Sequence, residues 1–144
     1  MGFRDQYETD SKLEADGIVL RYGDGMEIVC ARAGGANKHY QRTMEKLSEP
    51  YRRAIESKAL PNEMAQDLLI NVFARSVVRS WTGVTVHDVE ANGDHSPLPF
   101  SVENCVKFFK ALPEVFADVR ESVSNARLFR AHIEEIDAKN SPRS

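Results

Sequence analysis

The chain changes from strand-like to helix-like sequence within residues 30–42, which read CARAGGANKHYQR. Just before this point, Met26, Ile28 and Cys30 alternate with other residues in the way a half-buried strand requires. Gly34 and Gly35 then break the strand, and Asn37 stands where a helix N-cap is expected. The stretch therefore predicts a strand, a glycine turn and a helix in direct succession.

Upstream of the turn, the runs GIVLRY (17–22) and MEIVCAR (26–32) flank the loop Gly23-Asp24-Gly25. Two β-rich runs joined by a short glycine-containing loop are typical of a β-hairpin, because glycine supplies the positive φ that tight hairpin turns need. An isolated hairpin is only marginally stable in water. We therefore expect this hairpin to pack on helices.

Downstream of the turn, apolar residues recur at helical spacing on one face: Tyr40, Met44, Leu47, Tyr51 and Ala54. Pro50 interrupts this segment, although the apolar phase continues past it. Since proline removes a backbone hydrogen bond and clashes with the preceding turn, the segment predicts either one kinked helix or two abutting helices.

Residues 62–81 carry the strongest helical pattern, which predicts a central core helix over the whole segment; its stripe consists of Met64, Leu68, Leu69, Val72, Phe73, Val77 and Trp81. Residues 84–99 are rich in turn formers and leave room for a short strand or hairpin. Ser101 then predicts the cap of a helix through Leu112, and Pro113 the start of another. A last helix is expected to carry Ala126, Leu128, Phe129, Ile133 and Ile136.

The predicted fold class is thus mainly α (α+β), with an N-terminal β-hairpin packed on a bundle of about four to six helices. Residues 1–15 are expected to form a flexible acidic arm, residues 16–138 a single helical domain that includes the hairpin, and residues 139–144 a frayed tail. The length of 144 residues leaves room for one domain and little else.

The composition indicates an ordinary soluble protein, with 42% hydrophobic and 28% charged residues. No apolar run approaches the ~20 residues of a membrane span, and the N-terminus shows no apolar signal-peptide region. Cys30 and Cys105 are too few for a disulfide framework or a thiolate zinc site, so we expect both to be core residues in a reducing compartment.

Charge is distributed unevenly behind a net charge of −3. Residues 1–30 carry three basic and seven acidic side chains, whereas residues 31–58 carry seven basic and three acidic ones. The two regions could complement each other within one molecule or between molecules, or simply form solvated surfaces. Weak self-association of the protein is one interpretation of this charge distribution. Nucleic-acid binding finds no support in aromatic interleaving or in an overall basic balance.

The candidate chemical sites in the sequence are incomplete. Gly34-Gly35 followed by Lys38 lacks the remaining glycine and the hydroxyl residue of a phosphate-binding loop. The segment from Asp88 imitates the start of a calcium loop, but Pro99 stands where a bidentate Glu is required. His87 and His95 alone do not make a zinc site, and no nucleophile signature is present. We predict no enzyme activity, no catalytic residue, no metal and no cofactor.

Four stretches together resemble a known family: IVCARAGGANKHYQR, EPYRRAI, SWTGV and PLPFSVENCVKFFKALPEVFADVRESVSNARLFR. Over residues 16 to about 138, the chain is similar to the tail assembly chaperones of long-tailed bacteriophages and prophages. The stretches ARAGGAN-K and PLPFSVENCVKFF are the most specific. None of them carries catalytic chemistry.

The resemblance implies a protein of the host cytoplasm that binds tape measure protein and recruits tail tube protein subunits, and that is absent from the finished particle. In many phages such a gene also makes a longer product by ribosomal frameshifting. The aromatic residues Tyr40, Tyr51, Trp81 and Phe100 are our candidates for partner binding, with core packing as their alternative role. The alternative functions are a structural virion component, such as a tail completion protein, and a nucleic-acid-binding phage regulator.

Overall fold

The computed structural model describes residues 2–130, which form a small antiparallel sheet packed on helices. The predicted class, mainly α (α+β) with an N-terminal hairpin on a helical bundle, is confirmed. The helices are α1 (Phe3–Tyr7), α2 (Ser11–Asp16), α3 (Lys38–Ser48), α4 (Arg52–Glu56), α5 (Asn62–Ser76), α6 (Val86–Val89), α7 (Val102–Ala111) and α8 (Pro113–Ser124). Two 3₁₀ turns, Glu49–Tyr51 and Ala126–Phe129, complete the described helical segments.

The sheet has the strand order β1 (Ile18–Arg21), β2 (Glu27–Cys30) and β3 (Val78–Thr82), with both pairs antiparallel. The predicted hairpin is present, and its Gly-Asp-Gly loop has positive φ throughout, including 51° at Asp24. Burial alternates along β2, so one face of the sheet meets the helices.

The prediction of one helix over residues 62–81 is wrong at its C-terminal end. Helix α5 stops at Ser76, and the chain continues into β3, where Trp81 pairs with Ile28. Val77, Val78 and Thr82 are β-branched and restrict side-chain rotation in a helix, whereas they fit a pleated surface. The pairing with β2 converts the end of the helical stripe into a third strand.

Pro50 separates two helices, in agreement with one of the two predicted outcomes. It lies in the 3₁₀ turn Glu49–Tyr51, between the end of α3 and the start of α4. Tyr51 is the last residue of this 3₁₀ turn and therefore lies outside the regular helix α3.

The segment 84–99 contains the short helix α6 and an isolated bridge between Thr85 and Pro97, with no hairpin strand. Downstream, the predicted helix boundaries hold. The Ser101 hydroxyl accepts a hydrogen bond from the Asn104 backbone N–H at 3.0 Å, and Pro113 begins α8. Of the predicted last helix, Ala126–Phe129 form a 3₁₀ turn that ends at the extended residue Arg130, while Ile133 and Ile136 lie outside the described part of the chain.

The segment predicted as a flexible arm, residues 1–15, contains α1 and most of α2 where it is described. Helix α2 is attached to the body, since the Asp10 backbone N–H donates to the Phe129 carbonyl at 2.7 Å and Arg79 donates to the Ala15 carbonyl at 2.9 Å. No residue of α1 is buried. The proposed boundaries at residues 15 and 138 stay predictions.

A continuous row of aromatic rings runs through the core from α3 to the segment before α7. Adjacent rings lie 5.1–5.8 Å apart between centroids, many of them edge to face, as aromatic quadrupoles prefer. The row links the sheet to the helices and consists of Tyr40, Phe73, Phe116, Phe109, Phe108, Trp81 and Phe100.

Candidate functional site

The glycine turn between β2 and α3 holds a carboxylate of the chain itself. Glu14 of α2 is buried, pairs with the Arg32 guanidinium and accepts a hydrogen bond from the Ala36 backbone N–H at 3.3 Å. Gly35 has φ +54°, and a Cβ there would stand 2.8 Å from the Arg32 Nη1 atom and closer still to the Glu14 carboxylate. The backbone feature that resembles part of a phosphate loop therefore binds the internal anion Glu14.

Asn37 occupies the N-cap position of α3 but makes no side-chain capping bond. Its buried amide instead donates two hydrogen bonds, to the Arg32 carbonyl at 2.8 Å and to the Ser76 carbonyl at 2.9 Å. Asn37 thus stands at the predicted cap position, but its side chain bonds elsewhere, because the Ser76 carbonyl at the end of α5 comes close only in the folded chain. Asn37 ties the glycine turn to the end of α5.

The two histidine candidates for metal binding come together on the surface, but only as a pair. The His87 and His95 rings lie 4.6 Å apart between centroids, and both residues are exposed. Hydrogen bonds from the Ser96 side chain and backbone lower the pKa of the nearby Asp94 carboxyl. Within residues 2–130, no group of three or more His, Cys, Asp or Glu side chains is placed to hold a metal ion.

The four aromatic candidates for partner binding fall into two places. Tyr40, Trp81 and Phe100 are partly buried members of the aromatic row and pack against the hydrophobic core. The Trp81 indole N–H also donates to the Leu98 carbonyl at 2.7 Å, which fixes its orientation. Tyr51 is different, because it is 38% exposed and lies at the edge of a groove.

This groove, which we name the α5 groove, has a volume of about 1030 Å³ and lies between the end of α3, helix α5 and the junction of α7 with α8. Apolar side chains form much of its lining: Leu47, Tyr51, Met64, Leu68, Ile70 and Phe109. Met64 is 44% exposed, and Leu112, at 38%, precedes the lining residue Pro113. The α5 groove therefore presents apolar surface to solvent.

One stripe of α5 forms the long wall of the groove. Met64, Leu68, Asn71 and Arg75 line it at spacings of four, three and four residues, so they lie on one side of the helix. At 1.5 Å per residue, this stripe is about 16 Å long, or about three helical turns. The groove has the length of a short helical segment.

Charged side chains surround the apolar lining. Lys46, Arg75 and Lys110 are cationic, and Glu63 and Asp67 are anionic. The Lys110 ammonium and the Asp67 carboxylate lie 2.6 Å apart and form an exposed ion pair. An apolar lining within a charged rim is the usual anatomy of a protein-binding surface.

The groove was not predicted from the sequence, although its pieces were visible there. Met64 and Leu68 belong to the apolar stripe of the predicted core helix. The sequence pattern does not show which end of that stripe is left exposed because no other helix or strand packs on it. Pro50 was the useful signal, because the turn that it introduces places Tyr51 beside α5.

Comparisons with known proteins place the chain among phage proteins. The family described as YdaY prophage protein matches residues 35–140, well over half of the chain. The chain therefore belongs to the YdaY prophage protein family, and the phage origin implied by the resemblance is confirmed. No curated protein and no solved structure gives a significant match.

The described helices give one further fact about membranes. None of those within residues 2–130 combines the length and the apolar character needed to cross a bilayer.

Proposed function

We propose that this prophage protein is a tail assembly chaperone that binds tape measure protein through the α5 groove and recruits tail tube subunits around it in the host cytoplasm. The observation that carries the proposal is the exposed apolar lining of the groove, with Tyr51 and Met64 accessible to a partner. The resemblance of the sequence to tail assembly chaperones supplies the identity of the partner.

The dimensions of the groove suit a helical client. A helix that lies along α5 would present apolar residues at i, i+3 or i+4, and i+7 over the roughly three turns available. Tape measure proteins are long and helical, and they expose such stripes before the tail tube encloses them. The α5 groove would cover about three helical turns of the apolar stripe of a tape measure protein at a time.

The mixed rim favours reversible binding. Exposed ion pairs such as Lys110–Asp67 contribute about 0–1 kcal/mol each. Charged side chains of the rim can therefore break such a pair and form one with a client at little cost in free energy. The apolar lining supplies the affinity, and a chaperone that leaves the finished particle must release its client. In this proposal the protein covers a surface and performs no bond chemistry.

The test is co-expression with the tape measure protein encoded by the same prophage, followed by pull-down of the wild type and two variants. Met64→Glu places a charge in the groove and should reduce recovery by about tenfold or more. Met26→Glu is the matched control, because Met26 is also partly exposed, at 38%, but lies in the hairpin away from the groove. It should bind as the wild type does.

Failure of the wild type to retain either tape measure or tail tube protein would overturn the proposal. Stoichiometric amounts of the protein in purified particles, measured by mass spectrometry, would indicate a structural virion component instead. A salt-sensitive DNA shift would indicate a nucleic-acid-binding regulator, because contacts with phosphates release counterions.

A further inference from the structure

Helix α1 carries the most exposed aromatic side chain of the described residues. Phe3 is 85% exposed and Tyr7 58%, and the two rings lie 6.3 Å apart between centroids on one side of the helix. Soluble proteins expose single apolar side chains commonly, but a pair of rings on a segment without buried residues indicates a contact surface.

Helix α1 is held away from the groove of its own molecule. The Arg130 guanidinium lies 4.7 Å from the centre of the Tyr7 ring, and the backbone at Thr9 bridges to Arg130. These contacts place α1 beside the end of the 3₁₀ turn Ala126–Phe129, and no α1 residue lines the α5 groove. The exposed rings are thus available to another molecule.

The apolar positions of the α5 groove and of α1 have the same spacing along their helices. Met64 and Leu68 are four residues apart on α5, as Phe3 and Tyr7 are on α1, so two ring contacts can match two apolar positions one helical turn apart. Tyr51 at the edge of the groove adds a third apolar surface.

The two surfaces also complement each other in charge. Residues 2–10 carry one basic and three acidic side chains, and Asp5 and Glu8, in or next to α1, are exposed. The groove rim has the cations Lys46, Arg75 and Lys110, and Arg52 and Arg53 are exposed on the adjoining helix α4. The rim also holds the anions Glu63 and Asp67, so its own excess is one positive charge, to which the arginines of α4 add two. Attraction between an acidic segment and a surface with this positive excess favours the pairing over contact between two grooves.

We infer that the α5 groove accepts helix α1 of a second copy of this chain, with Phe3 and Tyr7 inserted beside Met64. The contact is head to tail, since each molecule offers its α1 to one neighbour and its groove to another, and such contacts build rings or open chains. The proposal uses the same groove as the proposed function, so a client helix and a neighbouring α1 would compete for it.

Complementary variants test the contact directly. The wild type should show a weight-average mass that rises above the 16.2 kDa monomer as its concentration increases in sedimentation equilibrium. The arm variant Phe3→Ser/Tyr7→Ser and the groove variant Met64→Glu should each associate about tenfold or more weakly. Mixed together, they should form a 1:1 dimer, because one keeps its groove and the other keeps its α1. Met26→Glu should associate as the wild type does.

Salt provides a second readout. Raising NaCl from about 50 mM to about 500 mM should weaken association of the wild type severalfold, because exposed charges are then screened within a few ångströms. A monomeric wild type at all concentrations would overturn the inference. So would association that the arm variant retains, or a mixture of the two variants that stays monomeric.

The outcomes separate this inference from the proposed function. If the arm variant is monomeric and captures tape measure protein as well as the wild type or better, both proposals stand. If tape measure protein is not captured but the mixed variants form the 1:1 dimer, the groove binds α1 and the chaperone proposal fails.

Discussion

Cys30 and Cys105 show how burial controls the chemistry of a single side chain. Both thiols are fully shielded from solvent, and Cys30 contributes to the sheet face of the core while Cys105 lies on α7. Burial raises the pKa of the Cys105 thiol to about 12. Burial raises the pKa of the Cys30 thiol even higher, and the neighbouring Cys105 adds a smaller effect in the same direction. The core placement predicted for both residues is confirmed.

The raised thiol pKa values predict a loss of stability at alkaline pH. Below about pH 8.5, the thiols are protonated in both folded and unfolded chains and do not affect the equilibrium. Above it, only the unfolded chain releases these protons, so each thiol lowers the free energy of unfolding by about 1.4 kcal/mol per pH unit. Urea unfolding between about pH 8 and pH 10 measures this slope.

The control for this prediction is Cys30→Ala. Removal of one thiol should reduce the alkaline slope by about 1.4 kcal/mol per pH unit, whatever the packing cost of the smaller side chain. An unchanged slope would show that Cys30 ionises equally in the folded and unfolded chains.

At the scale of elements, the turn between β2 and α3 joins three parts of the fold. It continues the hairpin, begins α3 and receives Glu14 from α2 through Arg32 and the Ala36 backbone. A buried ion pair of this kind is costly to break on one side, because the remaining charge then lacks its partner. The turn thus depends on a helix that lies about twenty residues earlier in the chain.

Gly35→Ala should lower the free energy of unfolding by about 3 kcal/mol, because the new Cβ both requires an unfavourable φ and displaces the Glu14 carboxylate. Gly25→Ala is the matched control: Gly25 also has positive φ, +79°, but nothing lies within 4 Å of its Cβ position. It should cost about 1 kcal/mol. Chemical denaturation of the two variants and the wild type measures both changes in the free energy of unfolding.

The background variant Glu14→Ala identifies the cause of the difference. Without the carboxylate, the extra cost of Gly35→Ala should fall toward that of Gly25→Ala, which a double-mutant cycle reports as coupling. Equal costs in both backgrounds would mean that the turn does not hold Glu14 in solution.

At the scale of the whole molecule, sheet and helices share one hydrophobic cluster. It includes Ile28 and Val78 from the sheet, Phe73 from α5, and residues of α7 and α8. Trp81 is the only tryptophan of the chain and stands where β3 meets Phe100 and Phe108. Its fluorescence therefore reports on the contact between sheet and helices.

We expect the sheet and the helices to unfold together, because neither can bury its apolar face without the other. Trp81 fluorescence and helical circular dichroism should then give coincident denaturation curves. A fluorescence transition at clearly lower denaturant would show that the sheet opens first and that the shared cluster does not unite the two parts.

Local patterns predicted those features that neighbouring residues determine. The hairpin loop at Gly23-Asp24-Gly25, the cap at Ser101 and the start of α8 at Pro113 each depend on a few adjacent residues, and each is present. Strand β3 was missed because Val77 and Trp81 continue the helical stripe, while pairing with β2 joins residues some fifty positions apart.

The same limit applies to the candidate site. The apolar stripe through Met64 was visible in the sequence, but its exposure depends on α3, α7 and the turn at Pro50, which come together only in the fold. Glu14 was missed as a ligand of the glycine turn because nothing adjacent to it in the chain indicates that partner.

Asn37 is a position at which a single chemical change of one atom group would cut a link between elements. Its amide donates to the carbonyls of Arg32 and Ser76. Slow deamidation, which needs no change in the gene, would turn this double donor into a carboxylate that can only accept, and both carbonyls would lose their partner. A molecule deamidated at Asn37 would therefore lack the junction between turn and helix although its gene still encodes Asn at position 37.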